Sequence, residues 1–245
     1  MDKLLSQVIE AHGGLARWSA VTGLTAHMTI GGPFWASKGQ PAILGEQTVD
    51  LDARREHIGL TPFGGSDWTL EFGAGPEHVV VRDVEGDVVE ERTDPRASFS
   101  GLGVTSAWDL TQTGYFIGYA LWNYLTEPFL LAYPGVGAHE IEPWEESGQR
   151  WRRLEVTFPD SIVTHSPGQT FYFGEGGALR RMDYVVQVDG SAPIAHYTSE
   201  PKTFGGIAVP TRHRVRRRLE DGTADMTIDY ITIDIHNVEY RSAGR

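Results

Sequence analysis

The apolar positions near the N-terminus predict an amphipathic helix over residues 2–12. Gly13 and Gly14 supply a C-terminal stop, and a further short turn is expected at residues 15–18. The apolar positions that carry this prediction fall at helical spacing: Leu4, Leu5, Val8 and Ile9.

From residue 24 the pattern changes to short runs rich in β-branched and aromatic residues, separated by turn residues. This pattern is typical of antiparallel strands at hairpin spacing, and Glu85-Gly86 marks one such turn within 84–88. The first set of predicted strands is 24–30, 46–51, 56–60, 68–72 and 78–82. The second set is 150–158, 169–173, 179–188, 194–199, 207–209, 212–219 and 226–237.

One long segment, residues 107–132, interrupts the strands and has helical length. It is apolar on most sides, which indicates a buried helix; Thr105 or Ser106 is the expected cap, and Pro128 is expected to end or kink it. The predicted fold is mainly β (α+β): a long curved antiparallel sheet or open β-barrel wrapped around this central helix, with the N-terminal helix at one end. No linker or repeat divides residues 1–245, so a single domain is expected.

Charge and composition narrow the range of partners. The 245 residues hold 21 Lys and Arg against 33 Asp and Glu, a net charge of −12 that disfavours nucleic acid and anionic lipid surfaces. The absence of cysteine excludes disulfides, thiolate metal sites and a cysteine nucleophile. No apolar run suits a signal peptide or a transmembrane helix, so a cytoplasmic location is expected.

Motifs for phosphate binding, zinc binding and serine hydrolysis are absent from the sequence. Its glycine-rich stretches lack Walker or Rossmann spacing, and neither HExxH nor Gly-x-Ser-x-Gly occurs. In the run 139–142 the alternation of a strand separates His139 from the two glutamates, so it forms no metal pair. No cofactor and no metal are expected.

The central helix carries an aromatic stripe of Tyr115, Tyr119 and Trp122 beside Gly114 and Gly118. Such a stripe usually packs in a core. The alternative interpretation is that it lines a ligand pocket, because tyrosine and tryptophan carry polar groups that a purely apolar core does not need. The glycines permit close approach of a neighbouring backbone.

Ionisable residues gather on the predicted strands of the second half. As candidate catalytic residues, His165 or His196 is the base, Tyr172 or Tyr184 the acid, and Arg180 or Arg212 the group that orients an anion. The alternation over 179–188 places Arg180 and Tyr184 on the more apolar face. Hydrogen-bonded core residues, or solvated residues at the rim, remain the other interpretation.

The only basic run of the acidic chain is 212–218. As a strand it places Arg212, Arg214, Arg216 and Arg218 on one side. One interpretation is a solvated outer face paired with acidic neighbours. The other is an anion site at the mouth of a cavity, suited to a carboxylate head group.

The order of elements, a leading helix, a twisted antiparallel sheet and a helix in its concave side, resembles the open half-barrel of bacterial lipoprotein carriers of the LolA, LolB and LppX type. The stretches 121–129, 196–197 and 209–212 also resemble those of a group of bacterial hypothetical proteins without an established activity. The carrier resemblance implies an apolar cavity between sheet and helix, which in the carriers holds acyl chains.

Two functions follow as hypotheses. The first is a soluble protein that binds a hydrophobic small molecule, such as a fatty acid, an isoprenoid or a polyketide-like compound, between sheet and helix. The alternative is a cofactor-independent acid–base enzyme, an isomerase, cyclase or lyase, acting on an apolar substrate in the same cavity. The sequence leaves the oligomeric state open.

Overall fold

A computed structural model describes residues 1–65, 67–75 and 77–242 of the chain. The helices of this described part are α1 (Lys3–Ala11), α2 (Leu15–Trp18), α3 (Phe34–Ser37) and α4 (Leu110–Thr126). Its strands in the first half are β1 (Val21–Gly31), β2 (Gly45–Asp52), β3 (His57–Thr61), β4 (Thr69–Ala74), β5 (Glu77–Arg82) and β6 (Val88–Thr93). Those in the second half are β7 (Gly137–Glu146), β8 (Gln149–Thr157), β9 (Gly168–Phe173), β10 (Leu179–Val186), β11 (Ala192–Phe204), β12 (Ile207–Arg217) and β13 (Ile231–Ser242).

All the strands belong to one antiparallel sheet, which is curved and does not close. Their order is β6-β5-β4-β3-β2-β1-β13-β12-β11-β10-β9-β8-β7, so the first and last strands of the described residues, β1 and β13, pair in the middle of the sheet. This architecture, with 47% strand, a central helix and an N-terminal helix, confirms the predicted fold class.

The N-terminal helix α1 begins where the sequence predicts it. The Asp2 carboxylate accepts hydrogen bonds from the backbone N–H groups of Leu4 and Leu5 at 2.7 and 3.3 Å. An aspartate at this position satisfies two of the N–H groups that a helix start leaves unpaired. The four predicted apolar residues are all buried.

The central helix α4 is shorter than the predicted 107–132, and its cap is Asp109 rather than Thr105 or Ser106. Asp109 accepts from the backbone N–H of Gln112 at 2.8 Å, and the Gln112 side chain accepts from the backbone N–H of Asp109 at 3.0 Å. This reciprocal pair forms a capping box, which fixes the start of the helix. The helix ends at Thr126, before Pro128, and residues 129–132 form a separate 3₁₀ turn.

Three strand predictions need correction. The predicted strands 207–209 and 212–219 form one strand, β12, because Pro210 lies opposite Pro201 and the two missing N–H groups fall at the same place in the ladder. The strand predicted from 226 begins only at Ile231. The third correction is that β6 and β7 have no counterpart among the predicted strands, because each is an edge strand of mixed polar sequence whose side chains are all at least partly exposed.

The helix α4 lies over β3, β4, β5 and β6, in the first half of the sheet. A Cβ atom at Gly114 would lie 2.6 Å from a methyl group of Leu70, and one at Gly118 would lie 2.7 Å from the Cβ of Phe72. Real Cβ atoms do not approach so closely, so a larger residue at either position would have to displace Leu70 or Phe72. The close approach predicted for the two glycines is therefore present, and it draws the helix toward one half of the sheet.

Candidate functional site

A cavity of about 510 Å³ lies between α4 and the second half of the sheet. Its volume falls within the range of small-molecule sites. On the helix side the wall consists of Phe116, Ile117, Ala120, Leu121 and Tyr124. On the sheet side it consists of Ile30, Tyr184, Val186, Ala192, Pro193, Ile194, Val215, Arg217, Ile231 and Ile233. The remaining wall comes from α3 and from the connecting segments and contains Phe34, Trp35, Ser37, Lys38, Val104, Asp189, Gly190, Ser191 and Tyr230.

A buried ion pair joins three of the segments that surround the cavity. Lys38 Nζ donates to Asp189 Oδ1 at 2.5 Å and to the carbonyl of Val104 at 2.6 Å, and the Lys38 side chain is only 1% exposed. Burial raises the pKa of Asp189, and the Lys38 ammonium opposes that rise. The pair neutralises the lysine charge where desolvation is costly.

A chain of buried hydrogen bonds lies beside the cavity and touches it through Tyr124 and Tyr184. We name it the histidine–tyrosine chain. Its links are Tyr119 to His165 (2.9 Å), His165 to Tyr124 (2.7 Å), Tyr124 to Tyr184 (2.8 Å), Tyr184 to His196 (3.2 Å), His196 to His213 (2.9 Å) and His213 to the carbonyl of Pro210 (3.0 Å). The stacked rings of His165 and Tyr184, with centroids 4.2 Å apart, hold its centre together.

The Pro210 carbonyl sets the direction of every proton in the chain. A carbonyl only accepts, so Nε2 of neutral His213 carries a proton and its Nδ1 accepts from Nε2 of His196. The same reasoning, continued link by link, makes Tyr184 donate to His196 and Tyr124 donate to Tyr184. His165 then donates to Tyr124 and accepts from Tyr119. Every donor of the chain is therefore used within it.

Burial keeps the three histidines neutral. It lowers the pKa of His165 to about 3 and that of His213 to about 4, and it lowers the pKa of His196 well below its usual value. A general base works best when its pKa lies near the working pH. At neutral pH these imidazoles are weak bases, and both nitrogens of each one already have hydrogen-bond partners.

Of the six candidate catalytic residues, the structure brings three together in the histidine–tyrosine chain: His165, His196 and Tyr184. It places Tyr172 on the opposite, convex face of the sheet, where its hydroxyl donates to Asp183 at 2.7 Å beside the buried Arg181. Arg181 donates to the Asp183 carboxylate at 2.6 and 2.9 Å. This ionic cluster is separate from the histidine–tyrosine chain.

The two candidate arginines also lie away from the chain. A register shift between Leu179 and Arg181 breaks the alternation at Arg180, so Arg180 does not share a face with Tyr184 as predicted. Its side chain approaches Gly174 at the turn after β9. Arg212 lies exposed on the outer face and pairs with Glu200 at 2.9 Å.

The predicted ligand-binding stripe faces away from the cavity. The Tyr115 hydroxyl accepts from Arg96 at 3.1 Å, Tyr119 belongs to the histidine–tyrosine chain, and Trp122 Nε1 donates to the carbonyl of Asp52 at 2.8 Å. The cavity is instead lined by another side of α4, whose residues 116, 120 and 124 recur every four positions. Gly114 and Gly118 could have identified the cavity side from the sequence. The glycine side of the helix packs tightly against the sheet, so the cavity lies on the opposite side of the helix.

Comparison with known proteins identifies the fold of this chain. No family model matches the chain, and no curated protein matches it either. Among solved structures, a LolA superfamily protein from Nitrosomonas europaea matches with a TM-score of 0.53 at 11% identity, over 97% of this chain and 93% of that one. A domain provisionally described as an outer membrane lipoprotein-sorting protein from Vibrio parahaemolyticus matches with a TM-score of 0.49 at 8% identity, over 94% and 91%. The Nitrosomonas europaea match confirms the half-barrel resemblance at the level of architecture: the chain has a LolA-like fold.

Proposed function

We propose that the protein binds a hydrophobic small molecule, such as a fatty acid, an isoprenoid or a polyketide-like compound, in the cavity between α4 and the sheet. The observation that carries this proposal is the wall itself, which is mainly aliphatic and aromatic with few polar groups. Sites of this composition bind apolar ligands and use a few polar groups to orient them.

The acid–base alternative has less support. A catalytic base needs a lone pair directed at the substrate and a pKa near the working pH. In the histidine–tyrosine chain both nitrogens of His165 and His196 already bind other groups, and burial depresses both pKa values. The histidine–tyrosine chain therefore has the properties of a rigid structural network in which every hydrogen-bond donor has an acceptor.

Ligand-dependent stability tests the proposal. Dodecanoic acid at 100 times its dissociation constant is expected to stabilise the protein by about 2.7 kcal/mol, measured as a shift in thermal unfolding, with a one-to-one complex in native mass spectrometry. Ala120→Trp fills the cavity from the helix side and is expected to abolish the shift. Ala192→Trp fills it from the sheet side and serves if the helix variant folds poorly.

The matched control is Ala16→Trp, the same change at an exposed position of α2. It is expected to keep the full ligand shift. The proposal is contradicted if the wild-type protein shows no shift and no complex with dodecanoic acid or with a longer isoprenoid alcohol. It is equally contradicted if the two cavity-filling variants bind as tightly as the wild type.

A further inference from the structure

We infer that the ligand of this cavity carries one anionic group, held by Arg217 at the mouth, with its apolar part directed inward. This inference rests on the proposed function and specifies the ligand class. Among the described residues that line the cavity, those of the charged types Asp, Glu, Lys and Arg are Lys38, Asp189 and Arg217. Lys38 and Asp189 neutralise one another, so the cavity wall retains one positive charge in a chain whose net charge is −12.

Arg217 differs from the other arginines of its strand. Arg212, Arg214, Arg216 and Arg218 pair with Glu200, Asp234, Asp229 and Asp183 at 2.9, 2.8, 2.6 and 3.3 Å. The alternation of β12 places Arg217 with Val215 on the side of the cavity. Within the described ranges it has no carboxylate oxygen within 4.0 Å, so its guanidinium is available to a ligand.

Asp225 is the acidic residue whose pKa Arg217 affects, and its carboxylate already accepts hydrogen bonds from another residue. Arg217 contributes to lowering the pKa of Asp225, but hydrogen bonds from Thr227 are the larger cause. The Asp225 carboxylate accepts from the Thr227 hydroxyl at 2.6 Å and from its backbone N–H at 3.0 Å. An arginine fork in this setting suits a carboxylate, sulfate or phosphate oxygen pair.

The inner wall is unsuited to an anion. Tyr124 donates its only hydroxyl proton to Tyr184, and Tyr184 donates its own to His196. Toward the cavity these hydroxyls offer lone pairs alone, which repel an anionic oxygen. Both tyrosines are buried whereas Arg217 is exposed, so the charged group belongs at the solvent end.

A pair of probes with the same chain length tests this assignment. Dodecanoate and 1-dodecanol are titrated calorimetrically into the wild type, Arg217→Gln, Arg217→Lys and Arg212→Gln at pH 7.5 and low salt. The quantity compared is the dissociation constant for dodecanol divided by that for dodecanoate. Arg217→Gln is expected to lower this ratio about five- to tenfold, the range of an ion pair partly screened by solvent. Arg217→Lys is expected to retain most of it.

Arg212→Gln removes the same charge from the outer face of the same strand and is expected to leave the ratio unchanged. An equal change in Arg212→Gln and Arg217→Gln, or no change in either, overturns the assignment of Arg217. If dodecanol still binds in that case, the proposed function stands without it. If the wild type binds neither probe, both proposals fall.

Discussion

The two sides of α4 meet the sheet in opposite ways. Toward β4 and β5 the helix presents Gly114 and Gly118 and touches the sheet so closely that a methyl group has no room. On the side of Phe116, Ala120 and Tyr124 it leaves a cavity of about 510 Å³. The comparison shows that the tight contact determines where the cavity lies. A helix held against one half of a wide curved sheet cannot also fill the space above the other half.

The largest expected effect comes from breaking the tight side. In Gly118→Leu the new Cβ would lie 2.7 Å from Phe72 Cβ, in a place that cannot yield without moving the strand. We expect the free energy of unfolding in urea to fall by about 3 kcal/mol, at the upper end of overpacking costs. Ala120→Leu introduces the same side chain into the cavity side and is expected to change it by much less. Equal losses would show that the two sides are packed alike.

The polar wall of the cavity side is the next target. Tyr184→Phe removes the middle of the histidine–tyrosine chain and leaves the Tyr124 proton and His196 Nδ1 without partners. We expect a loss of about 2 kcal/mol, since a buried unpaired group costs about 1–3 kcal/mol. Tyr119→Phe, at the end of the chain, deprives only His165 of a partner and is expected to cost less. The order of these two losses in urea unfolding checks the chain as a connected unit.

The same wall makes stability depend on pH. The pKa of His213 is about 4 in the folded protein and near 6.5 in the unfolded chain, so below pH 6.5 the unfolded chain binds a proton that the folded protein does not. Its contribution to stability is therefore lost as the pH falls, at about 1.4 kcal/mol per unit. Burial raises the pKa of Glu56 and Glu127, and these acids act in the opposite direction.

Comparing the wild type with His213→Asn isolates the histidine, because the acids contribute equally to both. Between pH 6 and pH 5 the wild type is expected to lose about 1 kcal/mol more than the variant, measured by urea unfolding at each pH. If the free energies of unfolding of the two proteins change in parallel with pH, His213 is protonated as readily in the folded protein as in the unfolded chain, which contradicts the prediction.

The smallest effect is expected from Trp122→Phe, which removes one hydrogen bond to the carbonyl of Asp52. Its cost is about 1 kcal/mol of stability. Because Trp122 lies outside the cavity, the dissociation constant for dodecanoate is expected to stay within about twofold of the wild-type value, by the usual insensitivity to distant changes. A loss of affinity as large as that of Ala120→Trp would show that the aromatic stripe contacts the ligand after all.

The fold was more predictable than the site, for a physical reason. Strand alternation and helical apolarity are local, so the sheet, the N-terminal helix and the buried α4 follow from the sequence. The side of α4 that meets a ligand depends on where two glycines seat it, and a single bulge at Arg180 reverses the faces around it. The histidine–tyrosine chain joins residues more than 90 positions apart, as His213 is from Tyr119, which no local pattern contains. The single domain and the cytoplasmic location remain predictions.

The pairing of β1 with β13 bears on the stage of folding at which the cavity wall is completed. Val21 pairs with Ser242 and Gly31 with Thr232, so this ladder joins segments about 200 residues apart. We expect such a ladder to close late in folding, because a long loop must be closed first. Ile30 on one strand and Ile231 and Ile233 on the other belong to the cavity wall. A chain that folds from its N-terminus is therefore expected to have no complete binding site until β13 inserts between β1 and β12. We therefore expect a ligand to stabilise the assembled sheet and to leave the earlier steps of folding unaffected.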